Sequence, residues 1–135
     1  MSIPTAELEY LRLSYRPDLH ILFMRWTRLV TSAEHRAGYQ AALDFAQPHQ
    51  AGYWLVDLRT RGLAEAEDFT WIITDFRQQM QQTLPGVAFR VAYLVTPYQQ
   101  ELINSRLLSQ EGMFRTFIEE QSAYQWLATP RAEAS

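Results

Sequence analysis

The sequence predicts an α/β fold: one domain holding a mixed sheet of four to five strands with a parallel centre, an N-terminal antiparallel hairpin and four helices. Three observations carry this reading. Short apolar runs at residues 53–58 and 88–96 alternate with longer stretches of helical periodicity, the pattern of strands joined by helical crossovers. Two earlier strand-like segments meet at Arg16-Pro17-Asp18, too close for an intervening helix, so they pair antiparallel. No Pro, Gly and Ser-rich stretch interrupts the 135 residues, no repeat of about 20 to 50 residues is present, and a chain this long buries one proper core.

Taken in order, Leu8 to Tyr15 sets Leu11, Leu13 and Tyr15 on one side and Glu9, Arg12 and Ser14 on or near the other, the period of a half-buried strand. Pro17 and Asp18 suit the two central positions of a turn. Leu19 to Val30 opens apolar on both faces (Ile21, Leu22, Phe23, Met24), with His20 among them, as in a strand covered on both sides. Thr31-Ser32-Ala33-Glu34 has the form of a capping box, so a helix is expected from Ser32 to Gln47, burying Ala33, Tyr39, Ala42, Leu43 and Ala46 and ending at Pro48. Tyr53 to Leu58 is the next strand. A second helix from Glu65 to Leu84 carries Phe69, Ile72, Ile73, Phe76, Met80 and Leu84 at helical spacing, its Gln78 to Gln82 segment reading as a solvated face, before Pro85-Gly86 breaks it. Ala88 to Thr96 is the clearest buried strand. Thr96 and Pro97 then cap and open a third helix using Leu102, Ile103 and Leu107. A short strand from Met113 to Phe117 and a last helix from Glu119 to Ala128, with Ala123, Trp126 and Leu127 inward, complete the chain.

Composition excludes several functions. With no cysteine, disulfide scaffolds and thiolate metal sites are ruled out. All 12 cations are arginine and are scattered among 15 acids, leaving a formal charge of -3 and no concentrated basic face for nucleic acid. No apolar run reaches the roughly 20 residues of a membrane span, and the N-terminal residues resemble no secretory leader, so a cytoplasmic protein without integral membrane association is expected. His20, His35 and His49, read as lying in a strand, a first helical turn and a post-helix loop, show no ligand spacing, and no metal or cofactor is expected; His35 reads as a partly exposed packing residue. The acids cluster at helix starts, where the helix dipole explains them. No nucleophile elbow, Walker motif or dinucleotide fingerprint is present, so no catalytic residue is assigned.

The element order, the opening hairpin, Trp54-Leu55-Val56-Asp57-Leu58, the junction at Ala92-Tyr93-Leu94-Val95-Thr96-Pro97, and the segment from Phe114 to Leu127 together resemble the SpoIIAA-like or STAS-like domains, including the bacterial STAS/SEC14-like branch. In its anti-sigma-factor antagonist members, the resemblance implies a phosphorylatable serine at the start of the helix after the central strand. Arg59-Thr60-Arg61-Gly62 stands there instead, and Thr60 lies too early to take that role. What the resemblance implies is thus a non-enzymatic regulatory or protein-interaction module, a homodimer with an unidentified protein partner, lacking the usual serine phosphorylation switch.

In open α/β sheets ligands bind outside the carboxyl ends of parallel strands. That edge would collect Thr31 and Ser32, then Asp57, Arg59, Thr60 and Arg61, then Thr96 and Tyr98. Two arginines flanking a hydroxyl beside helix N-termini suit a phosphate or carboxylate. A purely structural arrangement, with Asp57 capping a turn and pairing with one arginine while the other is solvated, accounts for the same residues. Trp71 projects about 200° from Phe69 at ~100° per residue, among Asp75, Gln78 and Gln82, which makes it an interface anchor, a residue covered by a terminal segment, or a singly exposed side chain. Trp26, Trp54, Tyr93 and Trp126 read as core. The expected contact surface runs from Asp57 to Gly62 and along the outer face of the next helix. The alternative is a carrier or sensor of a small apolar or anionic ligand, suggested by four Trp, seven Tyr and seven Phe residues and by the STAS/SEC14-like resemblance. An enzyme built on Asp57, Arg59 and Arg61 comes third.

Overall fold

Apolar runs covered on both faces build the centre of the sheet. The structure, a computed structural model, describes residues 3–106 and 114–129. Strands β1 (Thr5–Leu8), β2 (Leu11–Arg16), β3 (Ile21–Trp26), β4 (Tyr53–Asp57), β5 (Arg90–Leu94) and β6 (Phe114–Phe117) form one six-stranded sheet in sequential order. The first three pair antiparallel, and β3 to β6 run parallel. The mixed sheet with a parallel centre and an N-terminal hairpin is therefore as expected, but six strands replace the four to five predicted. The extra one is β1. Its side chains are mostly exposed at a sheet edge, so it carries no apolar alternation to read, and the residues around Glu9 and Tyr10 that seemed to continue β2 form a turn. At the far edge β6 does pair, with Val91 opposite Phe114. The second strand stops at Trp26 instead of reaching Val30.

Period two assigns the faces. Leu22, Met24 and Trp26 of β3, Trp54, Val56 and Leu58 at β4, and Val91, Tyr93 and Val95 at β5 face the larger core. Ile21, Phe23, Leu55, Ala92 and Leu94 face the smaller one. On the larger face lie α1 (Ser32–Ala46), then α2 (Ala66–Trp71), a π turn (Ile72–Phe76) and α3 (Arg77–Thr83), which run on as one rod, and α4 (Pro97–Arg106) through Ile103. On the other face α5 (Glu120–Ala128) packs through Ala123 and Leu127, with Trp126 only partly buried. Counting the rod once, four helices are described, as expected. Leu107 and Met113, expected in the third helix and the last strand, lie outside the described residues.

Local signals explain the boundaries. Thr31 Oγ1 accepts from Glu34 N–H at 3.1 Å while the Glu34 carboxylate accepts from Thr31 N–H at 3.0 Å, the reciprocal capping box. Thr96 and Gln99 repeat it at α4, with 3.2 and 2.9 Å bonds. Two inward assignments fail: Ala33 is exposed on the first turn of α1, and Leu102 is exposed beside the buried Ile103. Helix α1 lies close over β3 because residue 38 has no side chain; a Cβ there would sit 2.4 Å from Cη2 of Trp26.

Candidate functional site

The carboxyl edge of the parallel strands does collect the predicted residues, yet it sends them to opposite faces of the sheet. Asp57 ends β4 in register with Arg25 and faces α5. Its carboxylate accepts from Arg25 Nη1 at 3.0 Å, from Arg59 Nε and Nη2 at 3.1 and 3.0 Å, and from the Arg59 N–H at 3.1 Å. Arg25 also forks onto Glu120 of α5, which accepts from the Tyr124 hydroxyl. Burial alone would raise the Asp57 carboxyl, but hydrogen bonds from the Arg59 side chain and backbone, with the charges of Arg59 and Arg25, hold it below its ordinary value. Two cations against two carboxylates close this network on itself. Asp57 thus caps a turn and pairs with Arg59, and the pair joins α5 to the sheet instead of presenting an anion site. Thr60 is exposed at the tip of the loop.

Arg61, two residues on, is not the solvated arginine of the structural alternative. It turns onto the opposite, larger face and is 5% exposed. Its guanidinium carbon lies 4.6 Å from the centroid of the Trp26 ring. Among the described residues it forms no salt bridge and donates to no hydrogen-bond acceptor, whereas Arg25, Arg28 and Arg59 all hold carboxylates. Burial lowers its guanidinium from the ordinary value. Arginine cannot discharge its proton to escape such a place, so a partner is expected.

The surroundings are aromatic and nearly dry. Arg61 lines a cavity of about 10 Å³ with Tyr39, Leu58, Leu63, Phe69, Ile72 and Tyr93, space for one water-sized occupant. A second void of about 10 Å³ lies past Tyr39, Ile72 and Tyr93, against Trp54, Phe76, Met80 and Phe114. The Tyr39 and Tyr93 hydroxyls are neighbours, and burial pushes the Tyr93 hydroxyl well up. The Trp26 indole Nε1 lies beside Tyr39 without the geometry of a hydrogen bond, and is a buried donor with no partner.

His35 completes the cluster from α1. Wholly buried, and not the partly exposed residue expected, its ring stacks on Trp26 and packs against Tyr39 and Trp71. Nε2 lies 3.2 Å from the Asp68 carbonyl oxygen, which accepts only, so Nε2 carries the proton and the partnerless Nδ1 is bare. Desolvation, then the charge of Arg61, pushes its pKa down to about 4. The Asp68 side chain is held by Ser32 Oγ at 2.6 Å and faces Arg36 at 3.9 Å.

Trp71 is not the exposed anchor one reading proposed. It is half buried against His35, Tyr39 and Phe76, with Arg36 over its ring at 5.3 Å. The covering segment is α1 and not a terminal one. At Ile72–Phe76 the π turn takes more residues per turn than the 3.6-residue wheel assumes, which shifts the facing of the rod. Asp75 stays exposed on its outer side. Thr96 is absorbed by the α4 cap, and Tyr98 is 71% exposed.

The amino ends of the parallel strands hold a feature that the sequence did not mark. Tyr15, His20, His49, Gln50 and Tyr53 rim an open recess of about 260 Å³. Tyr15 stacks on His49 at 4.5 Å, and its hydroxyl lies 3.4 Å from His20 Nδ1. His20 sits in a turn with φ 58° and not in a strand. Among the described residues no three or more His, Asp or Glu groups converge as a metal site would need. None of the described helices is long and apolar enough to cross a membrane. No protein-family model matches the chain, and no curated protein matches it.

Proposed function

We propose that the chain is a non-enzymatic regulatory domain of STAS-like type that senses or carries a small anionic ligand at Arg61. One observation supports this reading above others: a 95%-buried cation that pairs directly with no described carboxylate. Burial of an unpaired charge costs several kcal/mol, so it is retained where an anion completes it. The place fits, since Arg61 follows the carboxyl end of a central parallel strand, where α/β sheets hold ligands. The contact surface read from Trp71 loses its support, because α1 covers that ring. A homodimeric state, a protein partner and a cytoplasmic location belong to the same proposal and rest on the STAS-like resemblance.

The test is thermal unfolding of the full chain, first dialysed into a buffer of bulky ions and then titrated with small anions against matched ionic strength. A ligand that binds only the fold raises stability by RT ln(1 + [L]/Kd). A saturating rise in the wild type that Arg61→Met abolishes supports the reading. It is wrong if no anion exceeds the salt control, or if the variant keeps the whole response.

A further inference from the structure

We propose that the anion is a single halide ion, chloride by size, held in the cavity that Arg61 shares with the hydroxyls of Tyr39 and Tyr93. This rests on the anion-binding reading and names its ligand. Three features select a monatomic ion.

Size is the first. The cavity lined by Arg61, Tyr39 and Tyr93 measures about 10 Å³, room for one water-sized occupant. The neighbouring void of about 10 Å³ is separate, with Tyr39, Ile72 and Tyr93 in the walls of both. A polyatomic anion such as acetate, nitrate or sulfate has to push these side chains apart, which close-packed interiors resist. Chloride is only slightly larger than a water molecule.

Hydrogen-bond chemistry is the second. Donors exceed acceptors here: a guanidinium only donates, and each phenol hydroxyl carries a proton to place. The Trp26 Nε1–H beside Tyr39 is a further buried donor with no acceptor. His35, whose Nδ1 is a bare acceptor, does not line the cavity. A water would bring two more protons to a place short of acceptors. A halide brings none and accepts from every side.

Charge is the third. Arg61 is 5% exposed, keeps its proton and forms no ion pair among the described residues. Asp68, the carboxylate whose field reaches it, is held by Ser32 at 2.6 Å and faces Arg36 at 3.9 Å. One monoanion balances the remaining cation, whereas a dianion leaves a buried charge of the other sign. A spherical ion also needs no fork geometry, because its attraction to the cation depends on distance and not on the direction of the guanidinium edge.

The experiment dialyses the full chain into sodium gluconate and titrates it with sodium chloride, bromide and iodide, and in parallel with acetate, nitrate and sulfate. Gluconate is withdrawn in step to hold ionic strength constant. Thermal shift reads stabilisation, and the broadening of the chloride NMR line reads bound chloride directly. Chloride and bromide should saturate, and bromide should compete the broadening away. Iodide, acetate, nitrate and sulfate should do neither at the same concentration. Arg61→Met should abolish the response. Tyr39→Phe combined with Tyr93→Phe keeps Arg61 and both rings, and should weaken chloride at least about tenfold, the factor that a hydrogen bond to a charged group implies. Unchanged chloride affinity in that variant overturns the assignment to this cavity. Arg61-dependent saturation by acetate, nitrate or sulfate, with none by chloride, overturns the halide and leaves the anion site standing. A chloride response that survives Arg61→Met, or saturation by none of these anions, overturns both.

Discussion

Arg61 rests on the ring of Trp26, 4.6 Å from guanidinium carbon to ring centroid, while Arg59, two residues earlier, is bound to Asp57 on the opposite side of the sheet. The loop after β4 thus handles two cations in opposite ways. One is neutralised at once and fixes α5. The other is carried into the main core and pairs directly with no described carboxylate. This contrast distinguishes a structural charge from a candidate binding charge.

Removing the unanswered cation should strengthen the ligand-free protein. Arg61→Met gives up a cation–π contact of about 0.5–2 kcal/mol but also the burial of an unpaired charge, which costs several kcal/mol. A net gain of about 1 kcal/mol is expected, read as a higher urea midpoint at unchanged slope. A lower midpoint would mean that Arg61 is already satisfied in the unliganded fold, which defeats the argument for an absent anion.

The other network should behave in the opposite sense. Asp57→Asn keeps the shape but strips Arg25 and Arg59 of a shared carboxylate, a loss of roughly 1–3 kcal/mol for hydrogen bonds to a charged group. The lower end is expected, because the side chains of Arg25 and Arg59 are 34% and 43% exposed and water screens them. The anion response at Arg61 should persist in this variant. Its loss would show that the two faces are coupled through the loop.

Much of the fold was legible in the sequence, and the misses have physical causes. Thr31 and Glu34 announced α1 because a capping box is a local contract between two side chains and two amides. Leu22 to Met24 and Val91 to Leu94 read as strands because burial on both faces leaves no polar interruption. β1 went unread because an exposed edge needs no apolar side chains. The carboxyl edge of the parallel strands was also legible, with Asp57 at the end of β4 and Thr96 just after β5. The sequence could not say that Asp57 and Arg61 part to opposite faces, since that depends on how the Arg59–Leu63 loop turns after β4. Trp71 misled because a 100° wheel does not foresee a π turn or the cover of α1. His35 looked half exposed because the wheel shows only its own helix, whereas the residues that bury it, Trp26 and Trp71, come from β3 and α2.

Close packing over Trp26 gives a direct test of the site's rigidity. In an open helix Gly→Ala stabilises by about 1 kcal/mol. Gly38→Ala should instead destabilise by ~1–3 kcal/mol, because the new methyl meets Trp26 Cη2 at 2.4 Å and Cζ3 at 2.9 Å and a rigid indole cannot step aside. Urea unfolding measures the loss, and a shifted tryptophan emission should report the displaced ring. A stabilised variant with unchanged emission would mean that Trp26 has room to move, and Arg61 with it.

His35 should make the fold acid-sensitive well above the carboxylate range. Its pKa is about 4 when folded against 6.5 ordinarily, so between those values the unfolded chain binds a proton that the native one refuses. Unfolding then takes up protons, stability rises with pH, and the benefit is full above pH 6.5, lost as pH falls toward 4, and constant below. The full difference is about 3 kcal/mol, of which about 2 kcal/mol should disappear between pH 6.5 and 5, at 1.36 kcal/mol per unit. Asp57, Glu34 and Glu120, all held below their ordinary values, add their own losses only at more acid pH. Urea midpoints across pH 5–7 measure the slope. His35→Gln lacks a titrating ring and can still donate to the Asp68 carbonyl, so it should be less stable than wild type at pH 7 and flat across that range. An equal slope in wild type and variant would assign the acid sensitivity elsewhere and place a proton, or a solvent path, at His35 Nδ1.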